Sequence, residues 1–423
     1  MAQAISFGGI SASFESRNFK IFWWGQLNLS LGAWVYRLAI AWLVWELTHS
    51  TAWLGIAAAA QMVPILLLCP IAGVYADRYG HLRQLIWSIA ATGASGFAVA
   101  ILVWWGGASI EWIVALCAIN GCSRAFSISS RQALLPAMVE PKLLPSAIGV
   151  NSATYYAANF VGPLVGAFLI EKFDVSVALS YFGIGAVIAV VALPFLKLAR
   201  HPVRSGPRTS FTQDLAEGLR YAASHKGIRL MILMVAVMAL FVQPALDMLA
   251  AFADRVLGMD EHGLGRLAAT FGCGAMSGGL CIAWRGRNEG LTRILLGGVT
   301  LGLLSLVVFS LSRTLWLSMP ALYLCGFCVV VASTSASSLI QNTVEPALRA
   351  RVLSLDSMIS TGGPALGATT IGFAGIHFGV QAPLFVAAML GLLVMMLARR
   401  HVRGETRALE TGRLAPAQKQ AAE

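Results

Sequence analysis

Predominantly apolar stretches of about 17 to 25 residues follow one another along almost the whole chain, and each is long enough to cross a bilayer core as a helix. They fall at 21–47, 52–75, 84–105, 110–130, 146–171, 175–198, 228–251, 263–284, 291–311, 315–340, 353–378 and 381–398. The break between the fifth and sixth is marked only by Glu171-Lys172-Phe173-Asp174. The expected fold is therefore an all-α polytopic membrane protein with twelve transmembrane helices. Composition agrees, because only 12% of the 423 residues are charged and 57% are hydrophobic. A soluble chain carries roughly 25% charged residues, and half of that cannot cover a water-exposed surface.

The positions of the charges test the span count independently. If both termini are cytoplasmic, 24 of the 30 Lys and Arg lie in inner segments, while Lys172, Arg255 and Arg313 lie outside. Arg37, Arg124 and Arg266 lie within spans. Inner loops of membrane proteins are enriched in Lys and Arg, and here the bias alternates as the count requires. The net charge of +11 is thus a topology signal, and no nucleic-acid partner is expected. Tryptophans give a second check: Trp23, Trp24, Trp87 and Trp284 fall at expected inner ends, and Trp104, Trp105, Trp112 and Trp316 near outer ends.

The seven cysteines all lie in apolar stretches, and the Cys325–Cys328 pair has no second pair or nearby His. They read as small buried hydrophobes, with no disulfide and no metal implied. The polar, Ser-rich Met1–Lys20 segment lacks a cleavage site after an apolar run, so no signal peptide is expected.

The connection after the sixth stretch is the longest and most basic. It holds Pro202, Gly206 and Pro207, and then Ser210-Phe-Thr-Gln213 at capping-box spacing. Phe211, Leu215 and Leu219 recur every four residues, as in an amphipathic helix on the inner membrane surface. The expected organisation is a six-helix bundle over 1–198, a cytoplasmic linker over 199–227, a second bundle over 228–398 and a cytoplasmic tail over 399–423. The halves resemble each other. Val139-Glu140-Pro141 precedes the fifth span and Val344-Glu345-Pro346 the eleventh. Gly162-Pro163-Leu-Val-Gly166 in the fifth span matches Gly363-Pro364-Ala-Leu-Gly367 in the eleventh. Repeated helical halves with a substrate site near the midplane are a transporter architecture.

Between the second and third spans runs Gly73-Val-Tyr-Ala-Asp77-Arg78-Tyr-Gly80-His81-Leu82-Arg83. It resembles the G-x-x-x-D-R-x-G-R-[RK] signature of the major facilitator superfamily, with His81 and Leu82 in place of the usual basic pair and Arg83 keeping one positive charge close by. The resemblance implies that Gly73, Asp77, Arg78, Gly80 and Arg83 form a cytoplasmic latch between the halves. Physically, Gly73 would allow close helix approach, and Asp77 would accept hydrogen bonds from Arg78 or a facing helix N-terminus. Gly162, Pro163 and Gly166 resemble the fifth-span motif of the superfamily's exporters, although Ala158 stands where the longer motif often has glycine. Gly32-Ala-Trp34-Val-Tyr-Arg37, Glu46-Leu-Thr-x-Ser50, Arg131-Gln-Ala-Leu-Leu-Pro136, Asn151-Ser152 and Leu348-Arg-Ala-Arg351-Val extend the likeness over residues 15–398. Together they resemble the bacterial branch that includes enterobactin-type siderophore exporters and macrolide efflux pumps. That implies an inner-membrane monomer that exports a small siderophore-like or drug-like compound in exchange for protons.

Ionisable groups within spans are functional candidates, since each is costly in hydrocarbon unless paired or wetted. Arg37 in span one and Asp247 in span seven occupy equivalent positions of the repeat, and a cross-interface pair is expected to seal the outer side and respond to a proton on Asp247. Alternatively each meets water or backbone separately. Arg124 and Asp356 lie toward the inner side, and Arg124 could hold Asp356 or Asp77. The superfamily's span-four arginine precedes a glycine whereas Arg124 follows Gly121, so that role is not transferred. Gln26, Asn28, Gln61, Asn159 and Gln243 are candidates to line a cavity, with helix-to-helix hydrogen bonding as the other reading. Gly272, Gly274, Gly278 and Gly279 read as a close-packing face.

No G-x-x-x-x-G-K-[ST] loop occurs, so ATP is not the expected energy source, and no catalytic triad or His cluster suggests an enzyme or a cofactor. A proton-coupled uptake symporter, a facilitator, and a non-transporting receptor or scaffold on the same fold all stay open on the sequence.

Overall fold

The computed structural model describes residues 14–140, 143–196, 219–285, 290–344 and 346–402. In the first half, α1 (Arg17–Thr48), α2 (Thr51–Tyr79), α3 (His81–Trp104), α4 (Ile110–Met138), α5 (Leu144–Lys172) and α6 (Val175–Ala192) follow one another through short turns. In the second, α7 (Lys226–Val237) runs into a π turn at Met238–Val242 and a 3-10 turn at Gln243–Leu246. Then come α8 (Leu249–Arg255), α9 (Glu261–Arg285), α10 (Leu291–Leu311), α11 (Leu315–Thr343), α12 (Pro346–Phe378) and α13 (Gln381–Val402). Eleven of the helical stretches are long and apolar enough to cross a membrane, and the described residues contain no strand. The chain is a multi-pass membrane protein.

Boundaries differ from the sequence reading where polar residues end an apolar stretch but not the helix. Ser16 caps α1 by accepting from Phe19 N–H at 3.3 Å, and its hydroxyl donates to the Met138 carbonyl at 2.7 Å. Asp174 caps α6 in the same way, accepting from Ser176 N–H at 3.2 Å and hydroxyl at 2.7 Å. The fourth helix continues past residue 130 to Met138, which carries Arg131 into it. The seventh expected span is not one α-helix. Pro244 has no N–H to donate and its ring crowds the preceding turn, and the backbone there is π and then 3-10. The eleventh expected span lies inside the 33-residue α12, whose many Gly, Ser and Thr residues dilute its hydropathy, and it is not one of the eleven apolar stretches. The linker helix expected near 210–220 lies largely outside the described residues, as does most of the tail.

The contacts divide the chain into two units, residues 1–207 with 253–269, and residues 208–252 with 270–423. Within each, glycines set the closest helix crossings. In the first unit a Cβ on Gly121 of α4 would lie 3.0 Å from the Ala60 carbonyl oxygen and closer still to that of Gln61 in α2. A Cβ on Gly162 would meet Trp34 Cβ at 2.5 Å, and one on Gly166 would meet Leu38 Cδ2 at 3.0 Å, so α5 rides on α1. In the second unit Gly363 meets Ala239, and Gly367 meets Leu240 and Pro244. The fifth-span motif thus packs on the first span and its repeat on the seventh. Gly274 and Gly278 meet the backbone of Tyr323 and Phe327 in α11, as their expected packing role requires. Large apolar side chains cover the outer faces, and Trp104, Trp105, Trp284 and Trp316 are exposed at helix ends, where interfacial rings belong.

Gly121→Ala should force α2 and α4 apart and destabilise the protein by about 1–3 kcal/mol. Gly149→Ala, where nothing lies within 4 Å, should leave stability unchanged or slightly raised. Thermal unfolding of the two variants in detergent checks this; equal midpoints would contradict the packing.

Candidate functional site

A polar pocket opens within the first unit, with about 720 Å³ of space between atoms, part of it open to solvent. Helical periodicity assembles it. On α1, Gln26, Ser30, Trp34 and Arg37 share one face. On α4, Arg124, Ser127 and Arg131 do the same at spacings of three and four. Thr92 of α3, Tyr155 of α5 and Phe182 of α6 add to the wall, and Leu29, Ala33 and Ile89 give it an apolar part.

The Arg37 guanidinium carbon lies 5.5 Å from the centre of the Trp34 ring, close enough for a cation–π contact. Trp34 meets Tyr155 edge-on at 5.8 Å. Gln26 donates to Ser30 Oγ at 2.9 Å. Arg131 reaches Ser127 Oγ at 3.5 Å, and its Nε is buried with no hydrogen-bond partner among the described residues. Arg124 lies within electrostatic reach of Arg37, Tyr36 and Tyr155, and Arg131 within reach of Arg124. No acidic residue is among the described residues that line the pocket.

Of the candidates read from sequence, Gln26, Arg37 and Arg124 come together here. Asn28 instead donates to the Trp24 carbonyl of its own helix at 2.8 Å. Gln61 and Asn159 are buried, the former with its backbone carbonyl against Gly121. In the second unit Gln243 opens the 3-10 turn, and Asp247 closes it with its N–H on the Pro244 carbonyl at 3.1 Å. Asp247 and Arg37 each engage in a further interaction. Asp356 is buried on α12 and accepts from Ser337 Oγ at 3.0 Å. Arg131, counted above with the inner loops, is a pocket residue instead. Its seven-residue offset from Arg124 was the signal that it shares the same helix face.

At the signature between α2 and α3, Gly80 has φ of +94° and caps both helices, a conformation that glycine alone adopts without strain. Asp77 faces His81, the departure from the usual pattern, with Oδ1 to Nε2 at 3.4 Å. At Gly73 a Cβ would meet only Ser129 Oγ at 3.6 Å, an ordinary contact, so tight crossing does not account for that glycine in this conformation. Gln84 was not anticipated. Its buried amide nitrogen donates to the carbonyls of Ala72 in α2 and Phe126 in α4, both at 3.0 Å. The signature region is thereby tied to the helix that carries Arg124.

A second cluster is also invisible in sequence order. Asp254 accepts from the buried Trp45 Nε1 at 2.9 Å and faces His49 Nδ1 at 3.8 Å. Arg255 donates to the His49 carbonyl and lies 4.8 Å from the centre of the Trp45 ring. His262 Nε2 meets Glu171 Oε2 at 3.0 Å. These contacts, with Gly265 seated on Pro163 and Ala167, explain why 253–269 groups with the first unit.

A mid-helix pocket within a glycine-packed helical unit is an arrangement that membrane transporters use. Residues 9–421 match the profile of the transmembrane secretion effector family of the major facilitator superfamily. The chain belongs to that family. It is 21% identical over 346 residues to macrolide efflux protein A of Streptococcus pyogenes, covering 81% of this chain and 85% of that one. It is 26% identical over 155 residues to the staphyloferrin A transporter of Staphylococcus aureus, covering 36% and 39%. Among solved structures, a bacterial homologue of the human lysosomal transporter Spinster superposes with a TM-score of 0.72 at 14% identity, over 94% of this chain and 98% of that one, and at this identity the likeness speaks for the fold alone.

Gln84→Leu should remove both cross-helix bonds and lower stability by about 1–3 kcal/mol. Gln84→Glu should also fail to bridge the two carbonyls. Thermal unfolding reads both, and native-like midpoints would show that the bridge is dispensable.

Proposed function

We propose that this protein is a secondary active exporter of a small organic compound in a bacterial inner membrane, working by alternating access and driven by proton antiport. The observation that carries this reading is the arginine-bearing pocket at the middle of α1 and α4, in a chain whose relatives include an efflux protein. About 100 mV contributes roughly 2.3 kcal/mol per charge and one pH unit about 1.4 kcal/mol. One proton could therefore sustain a compound gradient of several hundredfold.

The reading gives Arg37 and Asp247 the coupling role. Their equivalence in the repeat supports it, as does the position of Asp247 at a break in regular helix, a common feature of functional sites. Arg124 and Asp356 are proposed to tune the inner side. Gly73, Asp77, Arg78, Gly80 and Arg83 are proposed to latch the cytoplasmic ends, and the approach of His81 to Asp77 supports a polar cluster there. Gly162, Pro163 and Gly166, with Gly363, Pro364 and Gly367, are proposed as the surfaces on which the helices slide. Supporting this, the glycines of each set meet one partner helix at successive turns.

Energised inverted vesicles should accumulate an exported compound, and an uncoupler should abolish the accumulation. Accumulation indifferent to uncoupler would sink the antiport reading. Arg37→Asp and Asp247→Arg should each abolish transport and the double variant should restore a measurable part. Absence of rescue in the double variant, with normal folding, would count against the pair.

A further inference from the structure

The exporter reading leaves the substrate's chemistry open, and the pocket narrows it. Arg124 and Arg131 lie seven residues apart on the inward face of one helix, with Arg37 brought near them by α1. Arg37 has an interaction of its own, so the case stands on the other two. Like charges held together away from bulk water repel, and each is costly in a membrane-spanning segment. None of the described residues lining the pocket is acidic. Among the described residues the buried Nε of Arg131 has no acceptor, which is an expensive state for a donor. The remaining wall is neutral: the Gln26 amide, hydroxyls from Ser30, Thr92 and Ser127, aromatic faces from Trp34, Tyr155 and Phe182, and a few aliphatic side chains.

We infer that this pocket takes the anionic end of an organic substrate, a carboxylate or phosphate group on an aromatic or apolar body. The inference rests on the transporter reading of the pocket. Guanidinium forks match the geometry of both oxyanions, pairing two N–H donors with two oxygens. A bound oxyanion would replace repulsion between the cations with attraction to a shared partner. The aromatic wall suits a ring packed behind the charged group. A cationic amine of the same size would meet like charge, and the pocket discriminates against it on that ground.

Fluorescence anisotropy on the purified full-length chain in detergent tests this with two dyes of similar size, anionic carboxyfluorescein and cationic tetramethylrhodamine ethyl ester. Carboxyfluorescein should bind saturably, weaken as salt rises, and be displaced by phenylacetate or phenyl phosphate, the more effective competitor identifying the oxyanion. Arg124→Gln and Arg131→Gln should each weaken it at least about tenfold, and the Lys variants should fall between. Removing one of two repelling cations should leave the ligand-free unfolding midpoint unchanged or raised, so lost binding is separable from lost folding. Carboxyfluorescein should raise the native midpoint but not that of the double Gln variant. Tighter binding of the rhodamine, no saturable binding of any of the anions, or anion binding indifferent to both Gln variants would overturn the inference. Arginine-dependent anion binding without uncoupler-sensitive transport of any compound would instead defeat the exporter reading and leave the anion pocket standing.

Discussion

Helices in a bilayer gain no hydrophobic attraction for one another, since lipid tails are as apolar as leucine, so they are held together by close backbone approach and by the few polar bonds across their faces. In this protein that constraint is met by glycine. Gly121 lets α4 lie against the carbonyls of α2, and Gly162 and Gly166 let α5 lie against α1. The same two helices, α1 and α4, carry Arg37, Arg124 and Arg131 of the pocket. Gln84 adds a hydrogen-bonded brace from α3 to α2 and α4 at the signature end.

The repeat extends that logic to the second unit. Gly363 and Gly367 meet residues 239–244 as Gly162 and Gly166 meet residues 31–38, yet the two partner helices differ in kind. The α1 segment stays regular through Arg37, whereas its counterpart breaks at Pro244 just before Asp247. One copy carries the cation on a rigid helix, and the other carries the carboxylate on backbone whose hydrogen bonds are already irregular.

What the sequence made legible follows from which signals are local. The all-helical, multi-pass character comes from apolar length, and both Gly-Pro motifs were visible a fixed distance apart. Arg37 and Arg124 stood out because each interrupts an apolar stretch. Arg131 did not, because it sits where hydropathy falls and a charge count assigns it to a loop, although its helix runs on to Met138. Pro244 was visible, but nothing in its neighbours announced a π turn. The Trp45, His49, Asp254 and Arg255 cluster joins residues more than 200 positions apart, and no pattern along the chain connects them. Gln84 likewise looks like any in-span polar residue until its two carbonyl partners are known.

The proposed antiport requires that binding of the exported compound and binding of a proton exclude one another, with Asp247 proposed as the proton's site. Proton exchange on adding an exported compound to the purified protein, in weakly buffered detergent and across a range of pH, measures this directly. By linkage, the native protein should release up to one proton per compound bound, most at low pH and none at high pH, and Asp247→Asn should bind the compound and release none. Saturable binding to the native protein with no proton released at any pH would contradict the account.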